Sequence, residues 1–176
     1  MQDKLTELLD KQAIMETIYR YAQGIDRRDS ECLSSIFTRD AVLHYGAGLY
    51  EGPASMLVAN WRAGAPSPFA MTHHQVGNIL IQFDGAEHAR SITYLTAAHR
   101  ALRAGAWVDE IIRARYLDRL VKQGETWRFS ERTLVYDWSH VAPADKTFWW
   151  EQPGAAAATG AHGSADPSVA FRAAKR

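Results

Sequence analysis

Between residues 71 and 139 the chain carries four long strand-type runs cut by short turn signals, and no other feature restricts its fold as strongly. The runs cover 71–83, 87–102, 107–121 and 127–139. Asp84-Gly85 turns the chain after the first, Gly105 interrupts it before the third, and Gln123-Gly124 sets up the last hairpin. Strands joined by turns this short pair antiparallel, so the stretch predicts a meander. An amphipathic antiparallel sheet has one face that needs covering, and the cover must come from elsewhere in the chain.

The upstream residues supply it. Leu5, Leu8 and Leu9 open a helical pattern that passes Asp10, a candidate cap or break, and continues through Ile14, Ile18, Tyr21, Ala22 and Ile25. Gly24 favours a helix end, and Asp29 and Ser30 offer N-cap chemistry for a second helical pattern through Leu33, Ile36 and Phe37, so two short helices are expected here. Residues 41–45 read as a strand. Gly52-Pro53 opens a third helical segment with Met56, Leu57 and Trp61, and residues 64–68 stop it. Three helical segments followed by a meander predict an α+β domain in which a strongly curved sheet wraps around helices.

At 176 residues and 47% hydrophobic content, one domain can bury a core without staples. Lys plus Arg and Asp plus Glu both total 20, so no global field attracts nucleic acid or an anionic membrane. No apolar run has membrane or signal-peptide character, which makes a cytoplasmic protein the expectation. Cys32 stands alone and makes no intrachain disulfide. The domain is expected over 1–142. The extension 143–176 is expected to be flexible from Pro153 onward, whereas Phe148, Trp149 and Trp150 are expected to pack on the domain or on a neighbouring subunit.

Candidate chemistry gathers around His73 and His74. Adjacent residues of a strand point to opposite faces, so one can enter a cavity while the other faces away; either can also be a hydrogen-bonded structural histidine. A neutral imidazole held by a carboxylate is a competent base, and the chain offers Asp26, Tyr21, His44, Tyr45, Asn78 and Arg132 around it. Asp26, where the apolar stripe ends, is either a solvated helix-end group or a carboxylate aimed into a cavity. Tyr21 lies five residues before it, about 140° around a regular helix, and spacing alone makes it a core residue. His44, His88, His99 and His140 are too scattered for a metal site, and His88 and His99 are expected on sheet or turn surfaces. Neither a phosphate-cradling glycine motif nor a nucleophile elbow is present, so no cofactor and no metal is expected. Arg113, Arg115 and Arg119 alternate along a strand as a solvated or interface face.

Four stretches carry a resemblance: YAQGIDRRDSECLSSIFTRDA at 21–41, GPASML at 52–57, THHQVGN at 72–78 and WRFSERT at 127–133. Together they resemble the SnoaL-like branch of the NTF2-like superfamily, with similarity to hexachlorocyclohexane dehydrochlorinase, bile-acid 7-alpha-dehydratase and, more distantly, scytalone dehydratase. The resemblance implies a conical fold, a deep apolar pocket, and a site built from His74, Asp26, Tyr21 and Arg132. His74 would take a proton from carbon, Asp26 would orient it, Tyr21 would hold a carbonyl or departing hydroxyl, and Arg132 would face developing negative charge. His73, Tyr45, Trp61, Phe69, Asn78 and Tyr116 are the expected ligand contacts. The activity implied is a cofactor-independent, dehydratase-like lyase acting on a hydrophobic cyclic small molecule. An isomerase or polyketide cyclase uses the same proton abstraction, and a noncatalytic binder or dioxygenase beta-subunit-like assembly protein uses the same scaffold. A homo-oligomer, by resemblance a trimer, with the 148–150 aromatics over a pocket, completes the expectation.

Overall fold

The structure, a computed structural model, describes residues 2–46, 48–145, 147–151, 153–154 and 156–173. Helices α1 (Gln2–Arg27) and α2 (Ser30–Ile36) lead into strands β1 (Phe37–Gly46) and β2 (Tyr50–Pro53) and helix α3 (Ala54–Arg62). Four long strands follow, β3 (Met71–Phe83), β4 (His88–Arg103), β5 (Ala106–Gln123) and β6 (Thr126–Pro143), and a short helix α4 (Pro167–Ala173) ends the described chain.

Asp10 does not break α1. Its carboxylate is taken by Lys122 Nζ at 2.7 Å and by the Trp127 indole N–H at 2.9 Å, so it does not turn back on its own backbone. Gly24 is not the terminus either. It stays helical, and a Cβ there would lie 2.9 Å from Leu33 Cγ and Cδ2, so this glycine is what lets α2 close on α1. The helix ends at Arg27. The Asp29 N–H donates to the Gly24 carbonyl at 2.9 Å and the Arg28 N–H to that of Ile25 at 3.3 Å, the two bonds of a Schellman cap. Asp29 then caps α2 by accepting from the Cys32 N–H at 3.0 Å.

The sheet order is β2-β1-β6-β5-β4-β3. The meander and the β1–β2 pair are antiparallel, whereas β1 runs parallel to β6, which makes the sheet mixed. Phe37 begins β1 rather than closing α2. Alternation on β4 sends Ala89, Ser91, Thr93, Leu95, Ala97, His99 and Ala101 inward. On β3, Gly77 and Asn78 bulge opposite Tyr94, between the pairs Val76↔Leu95 and Ile79↔Thr93. The bulge shifts parity by one, so Thr72, His74 and Val76 before it and Ile79, Ile81 and Phe83 after it face the same side. The buried stripe Ile14, Ile18, Tyr21 of α1 lies across this inner face, and Trp127 and Phe129 seal one end.

The tail from Pro153 is not a loose extension over the described residues. Asp166 accepts from the Ala161 and Ser168 N–H groups at 2.9 and 3.0 Å and pairs with Arg27 at 3.4 Å, while Arg172 pairs with Asp29 at 2.9 Å. These contacts fasten α4 to the end of α1. Phe148 stacks on Trp150 with centroids 4.6 Å apart, and the Arg100 guanidinium sits 4.5 Å over the Phe148 ring. The side chain of Trp149 lies outside the described residues. No described helix is long and apolar enough to cross a membrane.

Candidate active site

Asp26 sits on the last turn of α1, and α1 stays helical through it, yet its side chain is 8% exposed rather than in solvent. It faces the start of β3. Asp26 Oδ1 accepts from the Thr72 hydroxyl at 2.8 Å and contacts His74 Nδ1 at 2.7 Å, while Oδ2 accepts from the His74 backbone N–H at 2.8 Å. Burial pushes the carboxyl up. The hydrogen bonds and charge of His74 and the Thr72 hydroxyl outweigh that and hold it below the ordinary aspartate value. A carboxylate accepts only, so Nδ1 of His74 carries the proton and Nε2 is left as the basic nitrogen.

His74 borders a cavity of about 240 Å³ between the helices and the inner face of the sheet. Leu57, Trp61, Phe69, Leu95, Ile112 and Leu134 make its wall largely apolar. Its floor is phenolic. The hydroxyls of Tyr21 and Tyr45 hydrogen-bond to each other, and the Tyr116 ring stands edge-on to Tyr21 at 5.5 Å. Burial raises the pKa of all three, most at Tyr45 and Tyr116, so they act as donors rather than bases. Tyr21 and Asp26 therefore do not share a face: one looks into the cavity, the other grips His74 from behind.

Arg132 is not in the cavity wall. It is fully buried, gives two hydrogen bonds to Asp118 at 2.6 and 2.8 Å, and has the rings of Tyr21, Tyr116 and Phe129 within 3.9, 4.0 and 4.1 Å of its guanidinium carbon. Burial opposes its charge, but Asp118 overrides that and raises its pKa. The rings of Tyr21 and Tyr116 stand between it and the cavity.

His73 and Asn78 do not meet the cavity. His73 leaves the opposite side of β3, beside Asp166 and Ser168, because adjacent strand residues diverge. Asn78 lies in the bulge and is exposed. Tyr45, Trp61, Phe69 and Tyr116 do line it. Three further wall residues that bear on the chemistry were not among the expected contacts. Thr72 is two positions from His74 and so on its face. His99 is not at a surface: it is 5% exposed, stacked on Phe69 at 4.1 Å, with its ring 5.5 Å from that of His74. Burial, helped by the charge of His74, pushes its pKa down to about 4, and its Nδ1 has no hydrogen-bond partner among the described residues. The alternation of β4, with Arg90 and Arg100 outward, was the signal that would have placed it. Arg28 is the third. Among the described residues of one chain none beyond Leu134 borders the cavity, Phe148 and Trp150 included. No group of three His, Cys, Asp or Glu side chains suited to a metal ion occurs among the described residues.

A curved sheet closed by helices over an apolar cavity, with a carboxylate-held histidine in its wall, defines an α+β protein of the cone type with an internal pocket. The SnoaL-like domain model matches residues 6–133, and the chain belongs to that family. In structure it is similar to a scytalone dehydratase candidate from Novosphingobium aromaticivorans (TM-score 0.66, 26% identity, 82% of this chain and 96% of that one). It shares its fold with a type 2 hexachlorocyclohexane dehydrochlorinase, LinA (TM-score 0.67, 22% identity, 86% of this chain and 99% of that one). By sequence it is 24% identical over 135 residues to an uncharacterised protein of Mycobacterium tuberculosis H37Rv, covering 73% of this chain and 86% of the relative.

Proposed function

We propose that the protein is a cofactor-independent lyase of the dehydratase type that acts on a hydrophobic cyclic small molecule. The observation that carries this reading is the 2.7 Å contact between His74 Nδ1 and Asp26, which leaves Nε2 free at the wall of an apolar cavity. Nε2 takes a proton from a carbon next to a carbonyl, and Asp26 stabilises the imidazolium that results. The Tyr21–Tyr45 pair donates to the carbonyl oxygen as charge builds there, with the Arg132 cation beneath the Tyr21 ring. Expulsion of hydroxide from the β-carbon forms the double bond, and the proton returned by His74 makes it water. The close His74–Asp26 contact favours catalysis over a purely noncatalytic role.

A second reading is an isomerase, in which the same proton is returned to another carbon. It is favoured by the phenols, which all serve the oxyanion side and need no leaving group. A mass spectrum of the product separates the two, because a dehydratase product has lost water and an isomerase product has not. A crystallographic screen of cyclic ketones, steroids and aromatic alcohols identifies the ligand, and turnover of the hit by His74→Ala is then measured. Full activity in that variant refutes both readings.

Assembly belongs to the same proposal. The outer face of the sheet exposes a cross-strand rung of Leu80, Ile92 and Leu117, with Tyr94 and Trp138 nearby. That surface supports a homo-oligomer, with a trimer the state to test by sedimentation.

A further inference from the structure

Arg28 occupies a backbone position that does not suit arginine. It is the residue after the α1 cap, with φ of 51°, in the left-handed region where glycine is the usual occupant. Its side chain reaches the cavity wall and spends one guanidinium donor on the Phe69 carbonyl at 3.2 Å. No carboxylate pairs with it among the described residues. Asp29, its neighbour, is committed to Arg172 and to the α2 cap, and Asp166 is committed to Arg27. Burial pushes its pKa down with no acid to offset the loss.

Arg103 is the internal comparison. It holds the same 64–69 loop through the Pro68 carbonyl at 3.1 Å, but Glu110 neutralises it at 2.7 Å. A loop anchor therefore does not need a bare charge, and a partly buried cation at a cavity wall with unspent donors is a ready partner for an anion.

We propose that Arg28 is a specificity-determining residue that binds a carboxylate carried by the cavity ligand, so that the preferred ligands are cyclic hydrophobic acids. This rests on the reading of the cavity as the ligand site. The ring system packs among Trp61, Phe69 and Leu95, and the carboxylate lies against Arg28, away from the Tyr21–Tyr45 floor, leaving the phenols for the reacting oxygen. The planar fork of a guanidinium matches two carboxylate oxygens at once.

The test uses the full chain and two probes of one shape, 2-naphthoate and its neutral counterpart 2-naphthamide, titrated by calorimetry. Wild type is expected to prefer the naphthoate by roughly tenfold or more, as a charge-assisted pair gives. Arg28→Gln keeps a donor for the Phe69 carbonyl and removes the charge; it is expected to hold naphthamide unchanged and lose the preference. Arg103→Gln is expected to keep it. Arg28→Gly relieves the left-handed strain, so it should melt at or above wild type while also losing the preference, which separates the effect from loss of fold. Equal binding of both probes to wild type, or a preference that survives Arg28→Gln, overturns the proposal and leaves the cavity reading standing. Failure of both probes to bind overturns the two together.

Discussion

Asp26→Asn tests the site with a change of one atom. The carboxylate accepts three hydrogen bonds, from Thr72 Oγ1, the His74 N–H and His74 Nδ1–H, at 2.8, 2.8 and 2.7 Å. An asparagine has one oxygen to offer. If the oxygen keeps the backbone N–H of His74, the amide NH₂ faces Nδ1, which must become an acceptor and send its proton to Nε2. If the oxygen instead keeps Nδ1–H, the NH₂ is driven against the backbone N–H. Either arrangement loses a charge-assisted bond, about 1.5–3 kcal/mol. The first also removes the proposed base, with an expected loss of about 10²–10⁴ in kcat and KM little changed. Nitrogen NMR of the imidazole reads the tautomer without any substrate: Nε2 is unprotonated in wild type and protonated in the variant. The stability gap has its own pH signature. Because the folded Asp26 carboxyl lies below its ordinary value of 3.8, its contribution is present above that pH and fades as pH falls through the folded value. An unchanged tautomer, or a stability gap that grows in acid, would refute the arrangement.

His99 supplies a second titration. Its pKa falls from 6.5 to about 4 on folding, so the unfolded chain binds the extra proton between those values and stability declines as pH drops through that window, by about 3 kcal/mol in all. Denaturant midpoints of His99→Phe across the window should be flatter than those of wild type. Gly24→Ala puts a methyl 2.9 Å from Leu33 in the α1–α2 contact and should cost about 1–3 kcal/mol despite better helix propensity, which a urea melt will show. Arg132→Met strands Asp118 in the core and should destabilise by about 3–5 kcal/mol, while adding Asp118→Asn should restore part of it.

The meander was legible because its turns are chemical: Ala104 and Gly105 both take positive φ, 47° and 82°, between the paired Arg103 and Ala106. The parallel contact of β1 with β6 was not legible, since strands brought together by a long crossover leave no local signal. Asp10 and Gly24 misled for one reason. Each has a tertiary partner, Trp127 and Lys122 for one and Leu33 for the other, that overrides its local preference. The site divides in the same way. The choice of His74 over His73 and its pairing with Asp26 came through the family resemblance, whereas Asn78 was misplaced by a bulge and His99 by reading the scatter of histidines along the chain instead of strand parity.

The rotation between Tyr21 and Asp26 is what lets one helix serve both halves of the proposed chemistry. Were they on one face, the carboxylate would enter the cavity beside the phenols and compete with any substrate oxygen for their protons. At about 140° apart, α1 directs Tyr21 at the floor and Asp26 behind the His74 ring, so negative charge stays outside the space where an oxyanion would form. The bulge at Gly77-Asn78 completes the arrangement. Without it, either His74 or the inward trio Ile79, Ile81 and Phe83 would face the wrong side. The proposed base, the proposed oxyanion donors and the core are thus set by two local geometries, one helix rotation and one strand bulge, and selection among ligands is left to the walls between them.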